Sequence, residues 1–281
     1  IKTARAQYAQ GQIALDQLRD VEDVEVAKLI ERQKAAGLHA VTDGEFRRRW
    51  WHLDFLAGFN GIKVYDFETD GFGVKKMMQS TYVSEPLSFD PAHPFLEGFK
   101  RTQEIAGDVP VKQTIAGPNM VTLDSVVLST QYAANPVYRD LDELREALAK
   151  VYQDAIKAFY DAGCRYLQLD DTSWGALFSK RFRDRITACG YDPDKLIDVF
   201  GDITEAALEG RPSDMVITTH MCKGNFMSHW LYEGTYETVA RRLLGIRGID
   251  GFFLEYDDER SGDFSPLRFL PKDTDQRVVL G

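Results

Sequence analysis

Strand-like and helix-like segments alternate along this chain, and that alternation limits its fold more than any other feature. Short apolar runs occur at Leu38–Thr42, 111–115, 165–169, 214–219, 251–254 and 278–280. Between them lie segments with helical periodicity at 94–104, 141–162, 178–188, 193–209 and 235–244. The clearest is 141–162, where Leu144, Leu148, Val151, Tyr152, Ala155, Ile156 and Phe159 recur at three- and four-residue steps before Gly163. A strand–helix–strand order joins parallel strands by crossovers. No Gly-x-Gly-x-x-Gly follows any strand, which disfavours a dinucleotide-binding sheet. The expected fold is therefore α/β, a (β/α)8 TIM-type barrel in a single domain over residues 1–281, with an open doubly wound sheet as the alternative.

Two segments depart from the alternation. Residues 1–36 read as helical, ended by Ala35-Ala36-Gly37. Between about 62 and 89, short alternating segments flank Asp70-Gly71 and Gly73, the pattern of an inserted β-hairpin. The chain opens inside an apparent helix and closes on Arg277-Val278-Val279-Leu280-Gly281, so both ends are expected to be incomplete.

Composition excludes several functions. With 281 residues, 44% hydrophobic and 28% charged, the chain can bury a full core. A net charge of −10 argues against a nucleic-acid surface or a polybasic membrane patch. No apolar run approaches the roughly 18 residues of a membrane-spanning helix. Three cysteines, Cys164, Cys189 and Cys222, do not form a disulfide framework and suggest a reducing, cytoplasmic setting.

Chemistry concentrates at the strand ends. Glu45 follows the first strand, Asp170 and Asp171 the one at 165–169, His220 and Cys222 the one at 214–219, and Glu255 the one at 251–254, with Asp257 and Asp258 beyond. In a parallel barrel these ends open onto one face, where active sites lie. Strand residues two apart share a side, so His220 and Cys222 can aim an imidazole and a thiolate at one point. Both are ligands that zinc favours, and Glu255 would supply a third. Asp170 and Asp171 could hold a substrate ammonium, serve in acid–base work, or initiate a turn with Thr172 and Ser173. Arg47, Arg48 and Arg49 read most simply as a solvated charged face, or as a partner for a substrate carboxylate. Trp50, Trp51 and Trp174 read as packing, and His39, His52, His93 and His229 as structural. A zinc site containing a thiolate suits holding and deprotonating a second thiol better than activating water.

At Thr42-Asp43-Gly44-Glu45, Leu167-Gln168-Leu169-Asp170-Asp171, Thr219-His220-Met221-Cys222 and Phe253-Leu254-Glu255, with Arg260-Ser261 beyond, the chain resembles the cobalamin-independent methionine synthase family. The likeness is to its catalytic C-terminal barrel and to the short stand-alone members. The resemblance implies zinc-dependent methyl transfer to the thiol of homocysteine, with methyltetrahydrofolate as the default donor. It implies zinc on His220, Cys222 and Glu255, with a fourth ligand, a cysteine, beyond Gly281. Glu45 and Asp170 would bind the substrate's amino group. The first strand and its loop would precede Ile1. The family's usual Asp-Glu-Pro is here Asp170-Asp171-Thr172. The expected partners are homocysteine and a methyl donor, with neither nucleic acid nor membrane, and a homodimer is one assembly open to the chain. Two other functions share these residues: a thiol alkyltransferase of the coenzyme M or uroporphyrinogen decarboxylase-like class, and a non-catalytic, metal-stabilised barrel.

Overall fold

Five parallel strands, hydrogen-bonded in sequence order, build the central sheet: β3 (Lys112–Ala116), β4 (Tyr166–Asp170), β5 (Val216–Met221), β6 (Gly251–Leu254) and β7 (Arg277–Leu280). A single parallel bridge, Val41 to Val111, continues the order on the β3 side. A separate antiparallel pair, β1 (Asn60–Thr69) and β2 (Lys76–Ser88), forms the hairpin. This computed structural model describes residues 1–69, 76–225, 228–256 and 259–281; the expected turn residues Asp70, Gly71 and Gly73 lie outside them.

Register fixes what each face of the sheet carries. Ala116 pairs with Asp170, Asp170 with His220, and His220 with Phe253. Paired residues of parallel strands point the same way, and the side alternates along each strand. Ile115, Leu167, Leu169, Ile217, Met221, Phe252 and Leu254 therefore share one face, and all are buried. The opposite face carries Lys112, Thr114, Gln168, Asp170, Thr218 and His220. An apolar outer face under helices and a polar inner face are what a barrel with an interior site requires.

The long helices form where the periodicity places them. Helix Leu141–Asp161 buries Leu144, Leu148, Val151, Tyr152, Ala155, Ile156 and Phe159. Asp140 caps it, accepting from the Glu143 amide at 2.9 Å. Helix Pro193–Leu208 has proline in its first turn and an Asp192 cap. The Tyr152 hydroxyl donates to the Ala116 carbonyl at 2.8 Å, fastening a helix to the end of β3. At the other end of the sheet, Arg211 grips Asp250 at 2.5 and 2.7 Å, and Asp250 also accepts from the Ile217 amide. No helix among the described residues is long and apolar enough to cross a membrane.

Three expectations need adjusting. The helix over 1–36 is two helices, Lys2–Ala9 and Leu15–Ala35, separated at Gly11, whose φ is +69°. The strand at Leu38–Thr42 shrinks to the bridge at Val41. The Gln33 side chain takes both the Thr42 amide (3.0 Å) and its carbonyl (2.9 Å), competing with a ladder at that residue. The expected helix at 178–188 forms as Lys180–Ala188 and gains a short neighbour just before it, Trp174–Phe178.

After β3, Gly117 lets the chain pass tightly against the end of β4. A Cβ there would lie 2.7 Å from Asp171 Cβ and 2.8 Å from its Oδ2. Gly117→Ala is thus expected to cost about 1–3 kcal/mol. Calorimetric melting should show a fall of about 3 °C or more.

Candidate functional site

The strand ends open into a cavity of about 810 Å³, lined by Glu45, Thr114, Gln168, Asp170, His220 and Cys222 on the sheet side. The hairpin supplies another wall, with Tyr65, Phe67, Glu68, Met78 and Gln79. It is held there by a 2.7 Å bond between the buried hydroxyls of Thr81 and Ser125, and by the Leu87 amide donating to Tyr138. Four of the five anticipated site residues therefore share one cavity.

Glu45 is placed by an unusual backbone. Gly44 and Glu45 both have positive φ, +62° and +58°, which costs energy for a side chain such as glutamate. The Asp43 carboxylate accepts from the Glu45 amide at 2.8 Å and holds the turn. Glu45 Oε1 then accepts from Arg48 (2.8 Å) and Thr114 (2.9 Å). Arg48 is not on a solvated face: it is buried, donates to the Thr114 carbonyl at 2.6 Å, and lies over the Phe95 ring. Arg47 pairs with Asp23 at 2.6 Å, and only Arg49 is exposed.

Asp170 is buried and accepts from Gln168 at 2.7 Å. Burial, reinforced by the charge of Glu45, pushes its carboxyl up to about 7; Gln168, Arg48 and Lys112 pull the other way. Lys112 lies below, with its ammonium 4.3 Å from the Phe253 ring centre and 4.9 Å from that of Tyr166. Asp171 faces the opposite way. Asn119 donates to it at 2.9 Å, Ser173 also donates, and burial raises it to about 6. Asn119 further reaches Thr204 and the Phe200 carbonyl, tying this loop to helix Pro193–Leu208. Asp171 is accordingly a structural anchor and Asp170 the acid that lines the cavity.

Burial holds His220 below the usual imidazole range, so it stays neutral, the form that ligates metals. Burial pushes the Cys222 thiol up to about 11, with the Glu255 and Asp170 charges adding to the shift. Its sulfur accepts from the Gly224 amide at 3.4 Å. Glu255 follows β6 beside them, its amide donating to the Met221 carbonyl. Its carboxylate, however, accepts from the Lys223 amide at 2.7 Å and pairs with Arg260 at 3.4 Å. Among the described residues, no three His, Cys, Asp or Glu side chains are placed to hold a metal ion. The donor chemistry nevertheless fits zinc: a neutral imidazole, a carboxylate, and a thiol that needs a nearby cation to ionise near neutral pH. Cys164 is buried and Cys189 exposed, and neither lines the cavity. Asp257 and Asp258 lie outside the described residues.

The sequence alone missed His52, Asp124 and Arg185 as cavity residues. His52 belongs to no motif. Asp124 had one signal, the lone charge within the largely apolar stretch Val121 to Leu128. Trp174, read as packing, is buried against Phe200. His93 is structural as expected, capping helix Pro94–Ala106 and contacting the Phe55 carbonyl at 2.9 Å.

The family model described as "Cobalamin-independent synthase, Catalytic domain" matches residues 1–231. The uncharacterized protein YxjH of Bacillus subtilis is 44% identical over all of this chain and 73% of its own length. A crystal structure of a putative vitamin-B12 independent methionine synthase from Listeria monocytogenes superposes with a TM-score of 0.76 at 37% identity, covering 100% of this chain and 74% of that one. A 5-methyltetrahydropteroyltriglutamate–homocysteine methyltransferase of Corynebacterium glutamicum is 25% identical over 80% of this chain and 28% of its own. The architecture is thus that of the TIM-barrel-type catalytic domains.

The raised carboxyl of Asp170 has a consequence for stability. Between the unfolded pKa near 4 and the folded value near 7, the native state binds more protons than the unfolded one, so stability falls as pH rises through this window. In metal-free protein, Asp170→Asn should melt above wild type at about pH 8 and match it at about pH 4.

Proposed function

The chain belongs to the cobalamin-independent methionine synthase catalytic-domain family, and from that membership we propose that it moves a methyl group to the thiol of homocysteine, forming methionine. Methyltetrahydrofolate is the default donor. The observation that carries this proposal is the shared cavity, where His220 and Cys222 face the same space as the acids Glu45 and Asp170.

Glu45 and Asp170 receive the α-ammonium of homocysteine. An arriving ammonium favours the ionised form of Asp170, replacing the repulsion it feels from Glu45 by attraction. Arg48 keeps Glu45 fixed from behind, so little side-chain entropy is lost on binding. The hairpin aromatics Tyr65 and Phe67 exclude water from the reacting thiol. His220, Cys222 and Glu255 are the residues that would hold zinc. When bound there, zinc would take the substrate thiol and stabilise its thiolate as the nucleophile. We further propose that residues 1–281 act as one catalytic domain in a cytoplasmic setting. The net charge of −10 supports small-molecule partners rather than nucleic acid.

One observation favours a second function. Glu255 is already engaged by Lys223 and Arg260, as suits a thiol alkyltransferase whose metal is held by His-x-Cys without that carboxylate. Glu255→Gln separates the two: loss of bound zinc supports methionine synthesis with Glu255 as a ligand, and full retention supports the other.

The direct test is a methyl-transfer assay with zinc-loaded protein, homocysteine and a panel of methyl donors that includes methyltetrahydrofolate. Methionine should form, and Cys222→Ser should lower the rate by at least about 100-fold together with the zinc content. Glu45→Gln should raise the KM for homocysteine about tenfold or more, the loss of a charge-assisted hydrogen bond, while zinc content stays constant. Zinc-loaded protein that turns over no homocysteine with any methyl donor would contradict the proposal.

A further inference from the structure

The cavity has a second polar wall that homocysteine binding and the zinc ligands do not use. It is built from Asp124, on the π-helical turn Val121–Val127, and from Tyr232 and Arg185. A π-helical turn inside a helix is uncommon and concentrates at functional sites. Here it turns the lone charged residue of the segment toward the cavity. Among the described residues, neither the Asp124 carboxylate nor the Arg185 guanidinium has a hydrogen-bond or ion-pair partner; Arg185 contacts only the face of the Phe182 ring. Tyr232 is 3% exposed, its ring packed edge-on against Phe182, and its hydroxyl has no partner either. A tyrosine buried as deeply as Tyr232 normally has its hydroxyl paired, and the half-buried Asp124 and the exposed Arg185 line the same cavity unpaired, so together they point to a ligand that pairs them.

Their charges define that ligand. Asp124 and Arg185 are near enough to influence each other, yet form no ion pair. A molecule that pairs both must offer a cation to Asp124 and an anion to Arg185. The Glu45 and Asp170 wall is different: both groups are acids, and its cation Arg48 is committed to Glu45 and the Thr114 carbonyl.

We propose that Asp124, Tyr232 and Arg185 form a second substrate subsite that anchors the ammonium–carboxylate head of an amino-acid-sized methyl donor. The assignment rests on the methyltransferase function proposed above. Asp124 accepts from the ammonium, while Arg185 and the Tyr232 hydroxyl donate to the carboxylate. Burial raises Asp124 to about 7, and an ammonium at this position restores its charged form. A methyl group leaves without its bonding electrons, and a small donor gives it up most readily when the methyl sits on a positive atom, as in a sulfonium amino acid. The thiolate sulfur then forms the new S–CH3 bond as the donor's S–CH3 bond breaks. That electron pair stays on the departing sulfur, now a neutral thioether, and the acceptor's thiol proton passes to solvent.

Titration calorimetry on the full chain tests this, with S-methyl-L-methionine as the sulfonium probe and methyltetrahydrofolate and methylcobalamin as alternatives, each with homocysteine present. S-methylmethionine should bind. Asp124→Asn and Arg185→Gln should each weaken it about tenfold or more, the loss of one charge-assisted hydrogen bond. Arg185→Lys should recover part of the loss, and homocysteine alone should bind within about twofold of wild type, as expected for separate sites. Because Arg185 is exposed, its variants remain informative even if Asp124→Asn folds poorly. The proposal is overturned if S-methylmethionine does not bind, if the Arg185 variants leave its affinity unchanged, or if homocysteine weakens in parallel, which would place the acceptor's head there. Binding with this mutational pattern but without methyl transfer would instead count against the methyltransferase function and leave the subsite standing.

Discussion

The site depends on the parallel backbone ladder from β3 to β6. Each strand end is placed by main-chain hydrogen bonds to its neighbour, so Asp170 and His220 stand side by side before any side-chain chemistry is considered. The Asp171 amide donating to the His220 carbonyl at 2.9 Å, and the Glu255 amide donating to that of Met221, carry the ladder into the loops. A one-residue slip in β5 would turn His220 outward and bring Thr219 or Met221 inward. The Asp250 clamp on the Ile217 amide and Arg211 opposes such a slip at the other end of the same strands.

That placement gathers negative charge in a poorly solvated space. Glu45 and Asp170 repel each other, and the Cys222 thiol feels both Asp170 and Glu255. Besides Arg260 at Glu255, the fold sets Arg48 against Glu45 and Lys112 beneath Asp170 and His220. None of them brings Asp170 or Cys222 back to its ordinary range. Repulsion of this kind is stored during folding and relieved when a cationic group arrives, so it favours ligands carrying ammonium or metal charge over neutral ones.

Much of this was legible in the sequence because it follows from strict periodicities. The alternation of strand and helix gave a parallel sheet, and the two-residue period put His220 and Cys222 on one side. The strand at Leu38–Thr42 was not so legible, since the competing partner is the Gln33 side chain, which no local pattern announces. The arginine run misled for a similar reason. A charge cluster usually faces solvent, but Arg48 here satisfies an acid and a carbonyl inside the fold. Asp124 was hidden because its importance comes from a π-helical turn, an irregularity without a sequence period. Glu255 was found as a strand-end acid, yet its engagement by Lys223 and Arg260 comes from loop geometry that spacing does not encode.

Under the proposed function, this rim holds a substrate thiol as its thiolate beside Cys222. X-ray absorption at the zinc edge of the zinc-loaded protein, before and after addition of homocysteine, tests it most directly. The account predicts an additional sulfur scatterer at about 2.3 Å, the ordinary zinc–thiolate distance, and its loss in Cys222→Ser protein that no longer retains zinc. Zinc bound in full stoichiometry, with a coordination shell that homocysteine leaves unchanged, would contradict it.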